Sequence, residues 1–261
     1  MSNKHTAELK LNPNDLLITF NQKLSEFSSA VFFGVNGINN TKELPEAIIS
    51  DDNPMFEHVP FREMSLEKSK SNFKNWLLKK GFEDIIIALT ELLISFSDII
   101  DLNEKVKSKP NGTIDNFYKI IFEPNDENSL RSFPDLIKKV NKSLNSPMRF
   151  TEEMETINRI RRCLVHRNGI VRPNDFNNKD KKVIELKWWY FEIYIINDGT
   201  EKLFEPPEII TNKTKVKGKE ISRIKHFKEN EKIEISFQEL NELILFCQTI
   251  GKDILKKFKL N

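Results

Sequence analysis

The chain has 261 residues, 38% of them hydrophobic and 31% charged, which is enough apolar material for a substantial core under a highly charged surface. Its 41 Lys and Arg against 39 Asp and Glu leave a net charge of +2, which excludes a protein that coats nucleic acid over its whole surface but leaves room for a local basic groove. Two cysteines, Cys163 and Cys247, exclude a disulfide framework and a cysteine-rich zinc site, and make a reducing compartment the expectation.

The opening MSNKHTAELKLNPND lacks the apolar stretch of a signal peptide. The most apolar region, Phe82 to Ile100, contains Glu83, Asp84, Glu91 and Asp98, too many charges for a bilayer span. A soluble cytoplasmic protein without membrane partners is expected. NPND at Asn12 to Asp15 supplies a helix start, and Leu16, Phe20, Leu24, Phe27 and Val31 follow at steps of three and four. Glycines and asparagines in GVNGINNTKELP should end that helix, and Pro45, Pro54 and Pro60 forbid a long element over 41 to 64. Ser65 can cap a second helix carrying Phe73, Trp76 and Leu77, stopped by KKG at Lys79 to Gly81. A longer helix should run from Phe82 to Ile100, its broad apolar face implying several neighbours, until SKPNGT breaks it. Shorter helices are expected over 114 to 122 and 130 to 145.

Thr151 opens the helix of greatest interest, with Glu152, Glu153 and Glu155 near the positive end of its dipole and Met154, Ile157, Ile160 and Leu164 as its inner stripe. Gly169 in RNG should terminate it. The period then changes. VIELKWWYFEIYII, 183 to 196, reads as a strand, NDGT as a hairpin turn, and 201 to 210, KEISRIKHF and EKIEI as further short strands. Ser236 can cap a closing helix with Leu240, Leu243, Ile244, Cys247, Ile250, Ile254 and Phe258 inside. The expected architecture is one mainly α domain over 1–261. It comprises a helical or irregular extension at 1–64, a helical core at 65–182, a small antiparallel β insertion at 183–235, and the closing helix at 236–258.

RIRRCLVHRNGIV, residues 159 to 171, places Arg159, Arg161, Arg162, His166 and Arg167 together. RNA cleavage requires a proton taken from the 2′-hydroxyl, a proton given to the leaving 5′-oxygen, and stabilisation of charge gathering on phosphorus. A histidine can move both protons, and a guanidinium can fork two phosphate oxygens while staying charged. Cations in a helix's last turn also complement its dipole by about 0.3–1 kcal/mol each, and Glu152, Glu153 and Glu155 could pair with basic neighbours such as Arg159. On spacing alone the structural explanation stands beside the catalytic one.

Arg161, four intervening residues and His166, followed by RNGIV, resemble the motif of the HEPN superfamily, and the order of elements over 65 to 258 is similar to that of many bacterial members. The resemblance implies a HEPN-like helical bundle and metal-independent endoribonuclease activity without a cofactor. It also implies a homodimer whose two motifs form one composite site, with His166 as general acid/base and Arg161 as phosphate clamp. Arg162, Asn168 and Arg159 become supporting groups. Bacterial members commonly act as toxins or in anti-phage defence, so an antitoxin or defence-system partner is implied, as is the alternative of a catalytically inactive RNA- or protein-binding subunit. On a regular helix Arg161 and His166 would lie roughly 140° apart, whereas Arg162 and Arg159 would share the face of His166. Arg161 is chosen because alignment of LVH places it there. The tyrosine that some members carry four residues after the histidine is Ile170 in this chain.

KTKVKGKEISRIKHFK, 213 to 228, offers a second basic feature. Strand alternation would align Lys213, Lys215, Lys217 and Lys219, which with Arg223 and Arg167 could follow an RNA backbone, or simply solvate a hairpin tip. His226 reads as a surface residue, Trp188, Trp189 and Tyr190 as core packing, and Cys163 and Cys247 as buried structural thiols. Glu152–Glu153 and Asp51–Asp52 lack histidines at ligand spacing, so no metal site is expected.

Overall fold

A computed structural model describes residues 12–43, 65–108, 132–197, 199–204 and 215–258. Helix α1, Pro13–Asn40, begins where Asn12 accepts the Asn14 N–H at 3.1 Å and Pro13 occupies the first turn. Its buried stripe of Phe20, Leu24, Val31, Val35 and Ile38 lies against α2, Leu66–Ser108. Helix α3 spans Phe133–Lys142, α4 Thr151–Arg167 and α5 Phe237–Lys257. Between α4 and α5, strands β1 (Val183–Asn197), β2 (Thr200–Leu203) and β3 (Lys215–Lys228) form an antiparallel sheet in the order β2-β1-β3. The mainly helical chain with a small sheet before its last helix agrees with the sequence pattern.

Helix α2 is the axis of the molecule. Its 43 residues span about 65 Å. Phe82, Ile86, Leu89, Leu93 and Phe96 are fully buried among α1, α3, α4 and α5. The sequence pattern divides this segment at KKG, and that expectation fails; α1 ends at Asn40, inside the GVNGINNTKELP stretch expected to end it. Gly34, Gly37 and Gly81 are helical residues. A Cβ at Gly34 would strike the Leu77 side chain, and one at Gly81 would come within 2.8 Å of Val31 Cγ2 and 3.0 Å of Leu240 Cδ2. In α5, a Cβ on Gly251 would meet Leu17 Cδ1 at 2.9 Å and the Phe20 ring at 3.1 Å. These glycines permit α1, α2 and α5 to touch backbone to side chain. The close approach outweighs the roughly 1 kcal/mol by which glycine disfavours a helix interior.

The sheet docks through β1. Ile184, Leu186 and Trp188 are buried, and the Trp188 indole N–H donates to Glu242 of α5 at 2.9 Å. The register runs from Val183↔Lys228 to Ile196↔Lys215, whereas β2 covers only Tyr194 to Asn197. Near its start the second edge of β1 is met by side chains. Thr156 Oγ1 of α4 accepts the Lys187 N–H at 3.1 Å, and Asn177 both accepts from the Glu185 N–H at 2.7 Å and donates to its carbonyl at 2.9 Å. Such coverage shortens the edge open to strand addition. The EKIEI segment is not a strand; it contributes one bridge, Ile170↔Lys232. The expected return strand over 201–210 is β2 alone among the described residues, and the expected helix over 114–122 lies outside them, as do residues 44 to 64 of the N-terminal extension.

Gly37 has no neighbour within 4 Å of a built Cβ, so Gly37→Ala should stabilise by about 0.5–1 kcal/mol through helix propensity. Gly81→Leu should cost about 2–3 kcal/mol by overpacking. Urea denaturation of the two variants, followed by far-UV circular dichroism, measures both.

Candidate functional site

Helix α4 buries Met154, Ile157, Ile160, Cys163 and Leu164 and remains α-helical to Arg167. Asn168 then adopts a left-handed conformation (φ 52°, ψ 27°) and Gly169 follows at φ 81°. The Gly169 N–H donates to the Cys163 carbonyl at 3.1 Å, and its own carbonyl accepts the Ile233 N–H at 2.8 Å. Val171 N–H donates to Glu231 O at 3.0 Å, and Asn230 N–H donates to Val171 O at 2.9 Å. A side chain at Gly169 would be strained by its backbone and would crowd Leu164 Cδ2 at 3.2 Å. The helix therefore stops where the sequence places its end, and the exit is tied to the segment that leads into α5.

Regularity of α4 decides the side on which each basic residue lies. Arg159, Arg162 and His166 recur at intervals of three and four and form one stripe; Arg162 and His166 are exposed and Arg159 is half-buried. Arg161 is half-buried and points roughly 140° away from His166, toward the side of Leu164 and Asn168. The side chains of Arg159, Arg161, Arg162 and His166 make no hydrogen bond or ion pair with any described residue. Glu155, one turn before Arg159, does not pair with it. Arg167 differs: its guanidinium is joined to Asp175, a buried carboxylate that also accepts the Arg172 N–H at 2.9 Å. This pair clasps the helix end to the turn at Pro173–Asp175.

Cys163 sits beneath the stripe, its Sγ 3.4 Å from the Ile170 carbonyl. Burial pushes its thiol up to about 11, with the Asp175 carboxylate adding in the same direction and Arg167 opposing. Arg162 and His166 do not depress it. Cys247, buried in α5, is pushed up to about 12 by burial.

The basic ribbon is largely engaged elsewhere. Lys217 and Lys219 both reach Glu201 of β2 at 2.6 Å, hold its carboxyl down at about 2, and leave Lys219 Nζ 3.9 Å from the Tyr194 ring centre. Arg223 Nε and a terminal nitrogen lie 3.1 and 3.2 Å from the two Glu242 oxygens, and its guanidinium lies 4.6 Å from the Tyr190 ring centre. Lys215 is exposed; Lys213 lies outside the described residues. His226 is exposed with Nε2 3.0 Å from Glu185, and Trp189 donates to Glu153 at 2.8 Å. No cluster of three potential metal ligands occurs among the described residues, and no described helix is long and apolar enough to cross a membrane.

Beside the α4 exit lies a cleft of about 270 Å³, lined by Asn75, Trp76 and Lys79 of α2, Leu164 and Asn168, and Lys232. Lys79 Nζ is 3.5 Å from Asn168 Oδ1. The sequence places Trp76 and Phe73 among the apolar residues of a helix; the fold leaves both exposed and stacked on each other. Helical spacing showed that they share a side, but only the long-range packing of α2 reveals which side. No family model, curated protein or solved structure matches the chain.

Asp175→Ala should cost about 2 kcal/mol, because it removes two hydrogen bonds and frees the Arg167 guanidinium; thermal denaturation tests this. In the native protein at pH 8, both thiols should alkylate more than about a hundredfold more slowly than a free cysteine, and at that rate only after unfolding. Mass spectrometry after iodoacetamide treatment distinguishes the two. Unfolding releases these protons at alkaline pH, so the thiols' contribution to stability falls as pH rises from about 8.5 towards the native values.

Proposed function

We propose that this chain is a metal-independent endoribonuclease of HEPN type, active as a homodimer. The observation that carries the reading is the unpaired stripe of Arg159, Arg162 and His166, facing solvent at the pinned end of α4. An exposed imidazole can accept the 2′-hydroxyl proton or return one to the 5′-oxygen, and two copies would divide these tasks across a two-fold axis. A guanidinium one turn away on the same face can hold the phosphate oxygens as negative charge gathers there. For that role the regular helix favours Arg162 and Arg159 over Arg161, which alignment of the LVH ending had selected. Arg161 turns instead toward the neighbouring cleft. Arg167 belongs to the Asp175 clasp, and Asn168 shapes the exit. By the same resemblance, an RNA-degrading toxin or anti-phage effector held in check by a partner protein is the proposed setting.

Purified protein incubated with RNA in chelator should yield fragments with cyclic or 2′/3′-phosphate ends. His166→Ala should reduce the rate at least about a hundredfold without altering circular dichroism or the dimer mass seen by light scattering. Arg162→Ala should cost more activity than Arg161→Ala. Full cleavage by a folded His166→Ala variant would falsify the assignment, and salt-sensitive RNA binding without product would identify a catalytically inactive binding subunit.

A further inference from the structure

We infer that the cleft beside the α4 exit is a binding subsite for one unpaired base of single-stranded RNA, with Trp76 as its stacking platform. This rests on the ribonuclease reading above and names how that site would select its strand. Trp76 is 56% exposed and Phe73 49%, although both belong to a helix whose other large apolar residues are mostly buried. Their rings are parallel within 11°, with centroids 5.6 Å apart, so Phe73 backs the indole and fixes its plane. Covering an indole is worth on the order of a full apolar side chain's burial, yet apart from Phe73 on one face the described residues leave more than half of it exposed.

The surroundings combine an apolar floor of Leu78, Leu164, Ile233 and Ile235 with polar groups that a base and its phosphates could use, Glu234 being the one carboxylate among them. Lys232 is exposed and without an ion partner among the described residues, and Lys79 borders the same cleft. Asn75 and Asn168 bring side-chain amides, which can both donate to and accept from a base edge. Arg161 lies one turn back from Leu164 and two from Asn168 on their side of α4, and has no ion partner among the described residues. The volume, about 270 Å³, falls below the roughly 300–1,000 Å³ of sites that enclose drug-sized ligands, which suits one planar base rather than a whole dinucleotide. Single-stranded RNA is held in general by this combination of aromatic faces and cations along the backbone. A strand whose base stacks on Trp76 would have Arg161 and Lys232 for its flanking phosphates. To reach His166, on the other side of α4, the strand would have to pass round the end of the helix.

The test uses the full chain carrying His166→Ala, so that the RNA survives, titrated with a labelled unstructured oligoribonucleotide. Anisotropy gives the affinity, and tryptophan fluorescence reports stacking. Trp76→Ala should weaken binding about tenfold or more and remove most of the quenching, and Trp76→Phe should retain most of the affinity. Lys232→Ala should weaken binding and make its salt dependence shallower by about one ion. If Trp76→Ala binds unchanged while Arg162→Ala binds weakly, the cleft assignment is overturned and the ribonuclease reading stands. Failure of the starting protein to bind RNA at all overturns both. Unaltered RNA affinity with a changed oligomeric state for Trp76→Ala overturns the subsite and makes this face a contact between copies.

Discussion

A helix can aim a row of cations in one direction only if its last turn is held, and the backbone pairing of Gly169 and Val171 with residues 230 to 233 does this for α4. Two consecutive left-handed residues let the chain reverse within the space of a few atoms, and the Arg167–Asp175 pair closes the far side. Beneath them Ile160, Cys163 and Leu164 are sealed in the core. Rotation of the helix end would expose these side chains and break several backbone hydrogen bonds together. The orientation of Arg162 and His166 is thus a property of the whole fold, because the segment that pins them leads directly into α5 and the α5 cap at Ser236 and Glu239.

Charge pairing divides the basic residues into two populations. On the sheet, acidic partners meet them: Lys217 and Lys219 at Glu201, Arg223 at Glu242, Lys225 at Glu239, Lys187 at Glu152, Arg149 at Glu220. These contacts join strands to one another and to α4 and α5, so Lys217, Lys219, Arg223 and Lys225 are in large part structural. On the late turns of α4 only Arg167 is met, by Asp175; Arg159, Arg161 and Arg162 have no such partner among the described residues. In a chain whose acids and bases nearly balance, the unpaired arginines stand out by position rather than by number.

Much of this was legible in the sequence. The α4 stripe, its end at Gly169, the Ser236 cap and the long β1 strand all follow from local patterns of three, four and two residues. The failures share one cause, a dependence on distant contacts. Gly81 looks like a helix stop because the sequence does not show Val31 and Leu240 pressing on it. Lys217 and Lys219 look like an RNA track because Glu201 arrives from another strand. The choice of Arg161 followed the wording of a motif, whereas the helical period already opposed it, and the regular α4 agrees with the period. Trp76 was visible as an aromatic but not as an exposed one.

The helix dipole gives part of the motif an ordinary explanation, and its reach can be compared with the positions filled. Its effect falls off within the final turn, which contains His166 and Arg167. Arg167 has a structural partner as well, so nothing beyond stability is needed for it. Arg162 and Arg159 lie further back, where the dipole offers little and where like charges three or four residues apart cost about 0.2–0.5 kcal/mol per pair. The acids of the first turns do not relieve this repulsion: Glu152 pairs with Lys187, Glu153 accepts from Trp189, and Glu155 leaves Arg159 unpaired. A fold selected only for stability would gain by neutralising this stripe. On a pinned, solvent-facing helix end the stripe is instead open to an external anion.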